Sequence, residues 1–277
     1  MSFIQGPWTI AVYTWREGIR KKTLIGFLLL SLLVIFGSSF LTAFLAEARL
    51  SGEIESDVEV KLIKDICVSA ITIFGVLITI FISASVVPTE LDNKVIYSIL
   101  SKPVKRYQYL LGTFIGVQLI VIANLALMSL LFLFALYLRE RVFPSLLLWS
   151  TLLTYFQFLI VSGFTFAVGC TSTSAVLPTI AGLFIYITGN LTEYLRDVAD
   201  RAGQAGGALD VLIGNLAVGL YRVLPNLRSF DLRNDILNLA VNDPPSDIMI
   251  PNLILYGLLY GVAGYALACI LFWRKEL

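Results

Sequence analysis

The chain has 277 residues, of which 58% are hydrophobic and 14% charged, with no histidine and a formal net charge of +1. Soluble domains average roughly 45–50% apolar and about 25% charged, so this balance excludes an ordinary water-soluble globule. Without histidine the commonest general base, metal ligand and near-neutral pH switch are missing, and a net charge near zero makes no case for nucleic acid.

The first informative stretch precedes any apolar run. Trp8, Val12, Trp15 and Ile19 share one helical face by their spacing, with Arg16, Glu17 and Arg20 projecting away from it and Pro7 suited to a helix start. Tryptophan favours the headgroup zone, and lysine and arginine the anionic cytoplasmic surface. Residues 1–23 are therefore predicted to form an interfacial helix. A plain anchor and a helix that passes force into the next segment are both open readings. No small-residue cleavage site follows, so the next run is expected to remain as an anchor.

A helix that crosses the roughly 30 Å hydrocarbon layer needs about 20 apolar residues. Runs over 24–46, 66–87, 109–138, 146–168, 175–191 and 251–273 are read as six spans. The expected fold is an all-α polytopic membrane protein with one transmembrane domain over 1–277: spans one to five in 24–191, an outer segment over 192–250, and span six with its tail in 251–277.

Between the second and third runs, Pro88 is expected to end or kink the span and Thr89 to cap a short helix with Glu90 and Asp92 in its first turn. Leu91, Val95 and Ile99 form an apolar stripe that Pro103 stops, and Lys102, Lys105 and Arg106 follow. Docking into a partner's groove and a solvated loop on the membrane fit this composition equally.

The segment 192–250 opens on Glu193, Arg196, Asp197, Asp200 and Arg201 and loosens through Gly203, Gly206 and Gly207. Residues 209–224 are then apolar apart from Asp210, Asn215 and Arg222. A helix of that length is only about 24 Å long, so it is predicted to be re-entrant or interfacial. Read as a seventh span, it would break the charge asymmetry described next.

Arg16, Arg20, Lys21, Lys22, Lys94, Lys102, Lys105, Arg106, Arg274 and Lys275 all fall on one side of a six-span arrangement. The opposite short loops hold Arg49, Lys61, Lys64, Arg139 and Arg141, the first three diluted by acids. Both termini are therefore expected in the cytoplasm.

Inside the spans the polar inventory is Ser38, Ser39, Thr42, Ser69, Thr72, Thr79, Asn124, Ser129, Gln157 and Thr165, with no mid-span lysine or arginine. Ion-coupled carriers usually carry buried carboxylates or broken helices at mid-depth, so a stand-alone secondary transporter or channel is the weaker alternative. Gly112-x-x-x-Gly116 and Gly257-x-x-x-Gly261 permit close helix contact, either within the bundle or at a dimer seam. Cys67, Cys170 and Cys269 read as small hydrophobes, and Asn190-Leu-Thr192 as a chance sequon. No catalytic, metal or cofactor-binding set is found, and no phosphate-loop motif occurs.

The 88–112 stretch resembles the first cytoplasmic loop of ABC-2 type permeases. The likeness lies in Glu90, then Leu100-Ser101-Lys102-Pro103-Val104, Arg106, Leu111-Gly112 and Gly116. Arg16-Glu17 with Arg20 is similar to the pattern before that family's first span. Pro225, Asn226, Phe230 and Asp231 resemble a stretch in the outer loop of some members. Thr113 departs from the pattern, which has a lysine after Leu-Gly. The subclass most resembled has a short N-terminus and no fused ATPase, of the kind found beside copper-enzyme maturation and gliding-motility genes.

The resemblance implies a non-enzymatic permease subunit in a bacterial or archaeal cell membrane. ATP and Mg would sit on a separate ABC ATPase, two copies of which dock on two permease copies, a homodimer being expected. The coupling residues would be Glu90, Leu91, Asp92, Val95, Ile99, Lys102, Pro103 and Arg106. Export, or movement of an extracytoplasmic partner, would be the work done.

Overall fold

Apolar backbone in hydrocarbon must satisfy its own hydrogen bonds, and the helix does this locally. The computed structural model describes residues 5–50, 56–94, 96, 105–140, 145–192, 194, 214–215, 219, 224–232 and 250–274. Their regular elements are helices: α1 (Gln5–Ile19), α2 (Lys22–Leu50), α3 (Ser56–Asp92), α4 (Arg106–Glu140), α5 (Ser145–Thr171), α6 (Val176–Asn190) and α7 (Ile250–Trp273). One short 3₁₀ turn covers Arg228–Phe230. Each predicted apolar run coincides with one of α2 to α7, apart from a residue at either end of α6.

Four helical stretches are long and apolar enough to cross a membrane: Lys64–Asp92, Arg106–Phe134, Leu147–Thr171 and Ile250–Trp273. Leu24–Gly37 within α2 and the whole of α6 are shorter apolar helices. The chain is a membrane-embedded, all-helical protein on this ground. Most of 209–224, and all of 97–104, lie outside the described residues.

α5 is the centre of the bundle, packing on α3, α4, α6 and α7. Its apolar stretch is 72% buried, whereas that of α7 is 22% buried. α7 is thus a peripheral helix fixed along one edge. That edge is made of glycines, since a Cβ on Gly257 would lie 2.8 Å from Phe156 Cβ and one on Gly264 2.8 Å from the backbone of Gly163. α1 is seated on α4 in the same way. A Cβ on Gly112 would lie 2.5 Å from the Pro7 carbonyl oxygen, and one on Gly116 2.8 Å from that of Ala11. Both glycine pairs read from the sequence therefore pack within the chain itself.

This seam revises the reading of α1. Its buried edge is Pro7, Ile10, Ala11, Thr14 and Gly18, turned to α4. Val12 and Trp15 are half-buried, while Trp8, Tyr13, Ile19 and Arg20 are exposed. The aromatic residues thus lie beside the contact edge and away from it, the notches of α4 being filled by the α1 backbone, Ile10 and Thr14.

α3 also differs from expectation. It runs through Pro88 to Asp92 without a new N-cap at Thr89. A proline forfeits one backbone bond, which tertiary packing in a bundle can offset. A turn at Lys94 follows the helix, its φ of 57° lying in the left-handed region and its N–H donating to the Leu91 carbonyl at 3.0 Å.

Gly112→Val is expected to unseat α1 and cost about 1–3 kcal/mol through overpacking. Thermal unfolding in detergent and protease cutting of α1 would report it. Gly37→Val, at a glycine with nothing within 4 Å, should leave both readings unchanged.

Candidate functional site

The end of α3, the start of α4 and the turn between α1 and α2 meet in a buried polar cluster. Glu90, in the last turn of α3, is 2% exposed. A carboxyl in that position needs a donor, because a buried polar group without one is costly. Tyr109, fully buried in the first turn of α4, donates its hydroxyl hydrogen to Glu90 Oε2. Thr113, one turn on, donates to the Tyr109 carbonyl at 3.1 Å. The Tyr109 ring lies 6.1 Å from that of Phe272 near the end of α7.

From the other side, Lys21 Nζ donates to Ser85 Oγ on α3 at 2.9 Å. Burial pulls the Lys21 ammonium below the ordinary lysine value, and the carboxylates of Glu17 and Glu90 act in the opposite direction. On the outer side of α1, partial burial and then the neighbouring Glu17 push the Tyr13 hydroxyl up. Two polar contacts thus tie these elements: Lys21 with Ser85 joins the α1–α2 turn to α3, and Glu90 with Tyr109 joins the end of α3 to the start of α4.

The sequence expectation placed Glu90 in the first turn of a short loop helix capped by Thr89. The side chain instead faces inward, because α3 continues through Pro88 and carries that turn against α4. Asp92 is exposed, Leu91 is half-buried against the core, and Arg106 is exposed at the start of α4. Ile96 is fully buried. Val95, Ile99, Lys102 and Pro103 lie outside the described residues. Lys21 lies within electrostatic range of Glu17 and Glu90, while Trp8 and Arg20 are exposed.

Sequence reasoning passed over Lys21, Ser85 and Tyr109 as members of a site. Lys21 reads as one more orienting charge, and Tyr109 as the start of an apolar run. The one available signal was a tyrosine and a glutamate flanking the same loop.

A second polar cluster holds irregular backbone inside the bundle. The stretch 224–232 packs against α5, α6 and α7. The Leu227 N–H donates to the Gly189 carbonyl at 3.0 Å, and Gln157 Nε2 donates to the Leu227 carbonyl and to Asn190 Oδ1, each at 3.3 Å. Asn226 Oδ1 accepts from the Arg228 N–H at 3.1 Å and from the Thr192 hydroxyl at 3.2 Å. The Asn226 N–H donates to the Tyr256 hydroxyl at 3.0 Å. Phe230 is fully buried beside the Tyr256 ring, and Asp231 pairs with Arg228 at 3.7 Å. This explains Pro225, Asn226, Phe230 and Asp231 as a docking motif. It also engages the Asn190 side chain, which accepts from Gln157 and donates to the Tyr186 carbonyl at 2.8 Å.

Most intramembrane hydroxyls are turned back on their own helices. Thr72, Thr79 and Thr165 donate to carbonyls one turn earlier. Gln118, absent from the sequence inventory, bridges α4 to Ser162 of α5 at 2.8 Å. Buried carbonyl oxygens of Gln118 and Asn124 are left without a hydrogen bond. Among the described residues no group of three metal-ligating side chains occurs. No protein-family model matches the chain, and no curated protein sequence matches it either.

Tyr109→Phe removes the donor to a buried carboxyl and should cost about 1–3 kcal/mol, whereas Glu90→Gln keeps an acceptor oxygen and should cost less. Unfolding midpoints of the two variants and their double variant measure this; additive losses would show that the pair does not interact. Gln157→Leu should likewise destabilise by about 1–3 kcal/mol by stranding the Leu227 carbonyl, and exposure of 224–232 to protease would rise with it.

Proposed function

We propose that the chain is the membrane-spanning subunit of an ABC-2 type transporter. In this reading it has six spans, an interfacial α1 and cytoplasmic termini, and it works as a homodimer with two copies of a separate ATPase in a bacterial or archaeal cell membrane. ATP and Mg stay on the ATPase, and the permease converts its closure into export or into movement of an extracytoplasmic partner.

The observation that carries the reading is the Glu90–Tyr109 pair at the root of the α3–α4 loop. It lies in a polar cluster with Lys21, at the turn that joins α1 to α2. A push on 95–104 is then felt by α2, α3 and α4 together. The sequence likeness in Lys102-Pro103-Val104, Arg106 and Leu111-Gly112 supports the same assignment, and the lack of a phosphate loop puts nucleotide binding elsewhere. Glu90 acts in this account by positioning the loop, and the contact with the ATPase falls to exposed groups around it.

The test is co-expression with an ATPase encoded by a neighbouring gene, followed by co-purification and reconstitution in liposomes. ATP-dependent transport by the complex, with none by the permease alone, is the expected result. Tyr109→Phe should uncouple the two, leaving ATPase binding intact while transport per ATP falls severalfold. Transport by the chain alone without ATP would overturn the reading.

A further inference from the structure

Between the start of α4 and the end of α7 lies a cleft of about 500 Å³, lined by Arg106, Tyr107, Leu110, Ile270, Phe272 and Trp273, with Cys269 beside them. Its construction is graded. The wall is apolar, from Leu110, Ile270 and Phe272, and the back is closed where Tyr109 meets Phe272. The Tyr265 hydroxyl donates to the Tyr107 carbonyl at 2.9 Å and pins α7 to the first turn of α4.

The rim is cationic and aromatic. Arg106 lies in the lining, Lys105 Nζ stands 5.9 Å from the centre of the Tyr107 ring, and Arg274 directly follows Trp273 in the chain. No acidic side chain lines the cleft among the described residues. Trp273 is 79% exposed and Ile270 53%, on a helix whose apolar surface is mostly uncovered by protein. Lys21 lies at the same end, on the turn that contacts α3 near its close.

We infer that this cleft binds an anionic diacyl phospholipid, its phosphate held by Arg106 with Lys105 and Arg274 and its first acyl methylenes laid over Ile270 and Leu110. A basic rim above an apolar wall at the interface matches that molecule at both ends. A water-soluble anion would use the rim and leave the wall unmatched. A zwitterionic lipid would use the wall and gain little from the rim. Each basic residue near such a surface is worth about a fivefold preference for the anionic lipid. The inference rests on membrane placement and is independent of any ATPase.

The probe is the Trp273 indole. The full chain is reconstituted in phosphatidylcholine vesicles containing a minor fraction of phosphatidylglycerol, with either lipid brominated in turn to quench nearby tryptophan. The Trp273 contribution is isolated by difference from Trp273→Phe. Brominated phosphatidylglycerol should quench it at least about fivefold more per mole than brominated phosphatidylcholine. Arg106→Gln together with Lys105→Gln should lower the ratio severalfold, to what Arg274 alone sustains, Arg106→Lys should retain it, and Arg228→Gln at the other cluster should leave it unchanged. Circular dichroism confirms that each variant is helical, and the charge-retaining Arg106→Lys variant keeps the test decisive if the double variant does not fold. Equal quenching by the two lipids in the wild type, or a preference left undiminished by the double substitution, would overturn the inference. Loss of the preference in millimolar inorganic phosphate would also overturn it, by marking a site for free anions.

Discussion

Close contact between helix backbones at the glycine notches of α4 and α7 holds the two peripheral helices to the bundle. In hydrocarbon the leucines of α7 gain little by leaving lipid for protein, because both surroundings are equally apolar. Shape does what burial cannot. Gly257, Gly261 and Gly264 let α7 lie against Phe156, Leu159 and Gly163, and Gly112 and Gly116 let α1 lie against α4. The rest of α7 can then remain dressed in large apolar side chains, open to lipid.

Once those seams are in place, two polar clusters become possible at separate places in the bundle. Seating α1 on α4 brings the α1–α2 turn, and hence Lys21, to Ser85 on α3. Seating α7 on α5 brings Tyr256 within reach of Asn226 and completes the pocket for Phe230. In a low dielectric such groups are stable only when their partners are present, so each cluster makes neighbouring elements depend on one another. Glu90 with Tyr109 ties the two ends of the α3–α4 loop, and Gln157 with Leu227 ties an irregular segment into the helices. In the proposed permease the first of these is where a partner's push enters the spans.

Much of the helical framework was legible in the residues, since long apolar runs leave the backbone no alternative to the helix. The positions of α2 to α7 follow from them, as does the special role of the Gly-x-x-x-Gly pairs. What those pairs touch was not legible, because spacing shows that a notch exists and says nothing of its occupant. The misreadings share a cause. Pro88 and Thr89 form a good local stop-and-cap signal, yet α3 continues past them to Asp92, its last turn held by the buried Glu90–Tyr109 contact. Gln118 lay unnoticed in an apolar run, although it is the side chain that joins α4 to α5 through Ser162.

The sequence by itself determined the solvent this protein lives in and the local conformation of nearly every described segment, because hydrophobicity and backbone hydrogen bonding act residue by residue. For the α3–α4 loop, with its acids, apolar stripe and basic end, it left docking into a partner and a solvated loop on the membrane equally open. Only the tertiary structure decided which way Glu90 faces, that Tyr109 and Lys21 belong with it, and that the aromatic residues of α1 stand outside its contact edge. Those outcomes turn on which surfaces can approach within a few ångströms. Glycine notches on helices distant in the chain settle that, and no local pattern records it.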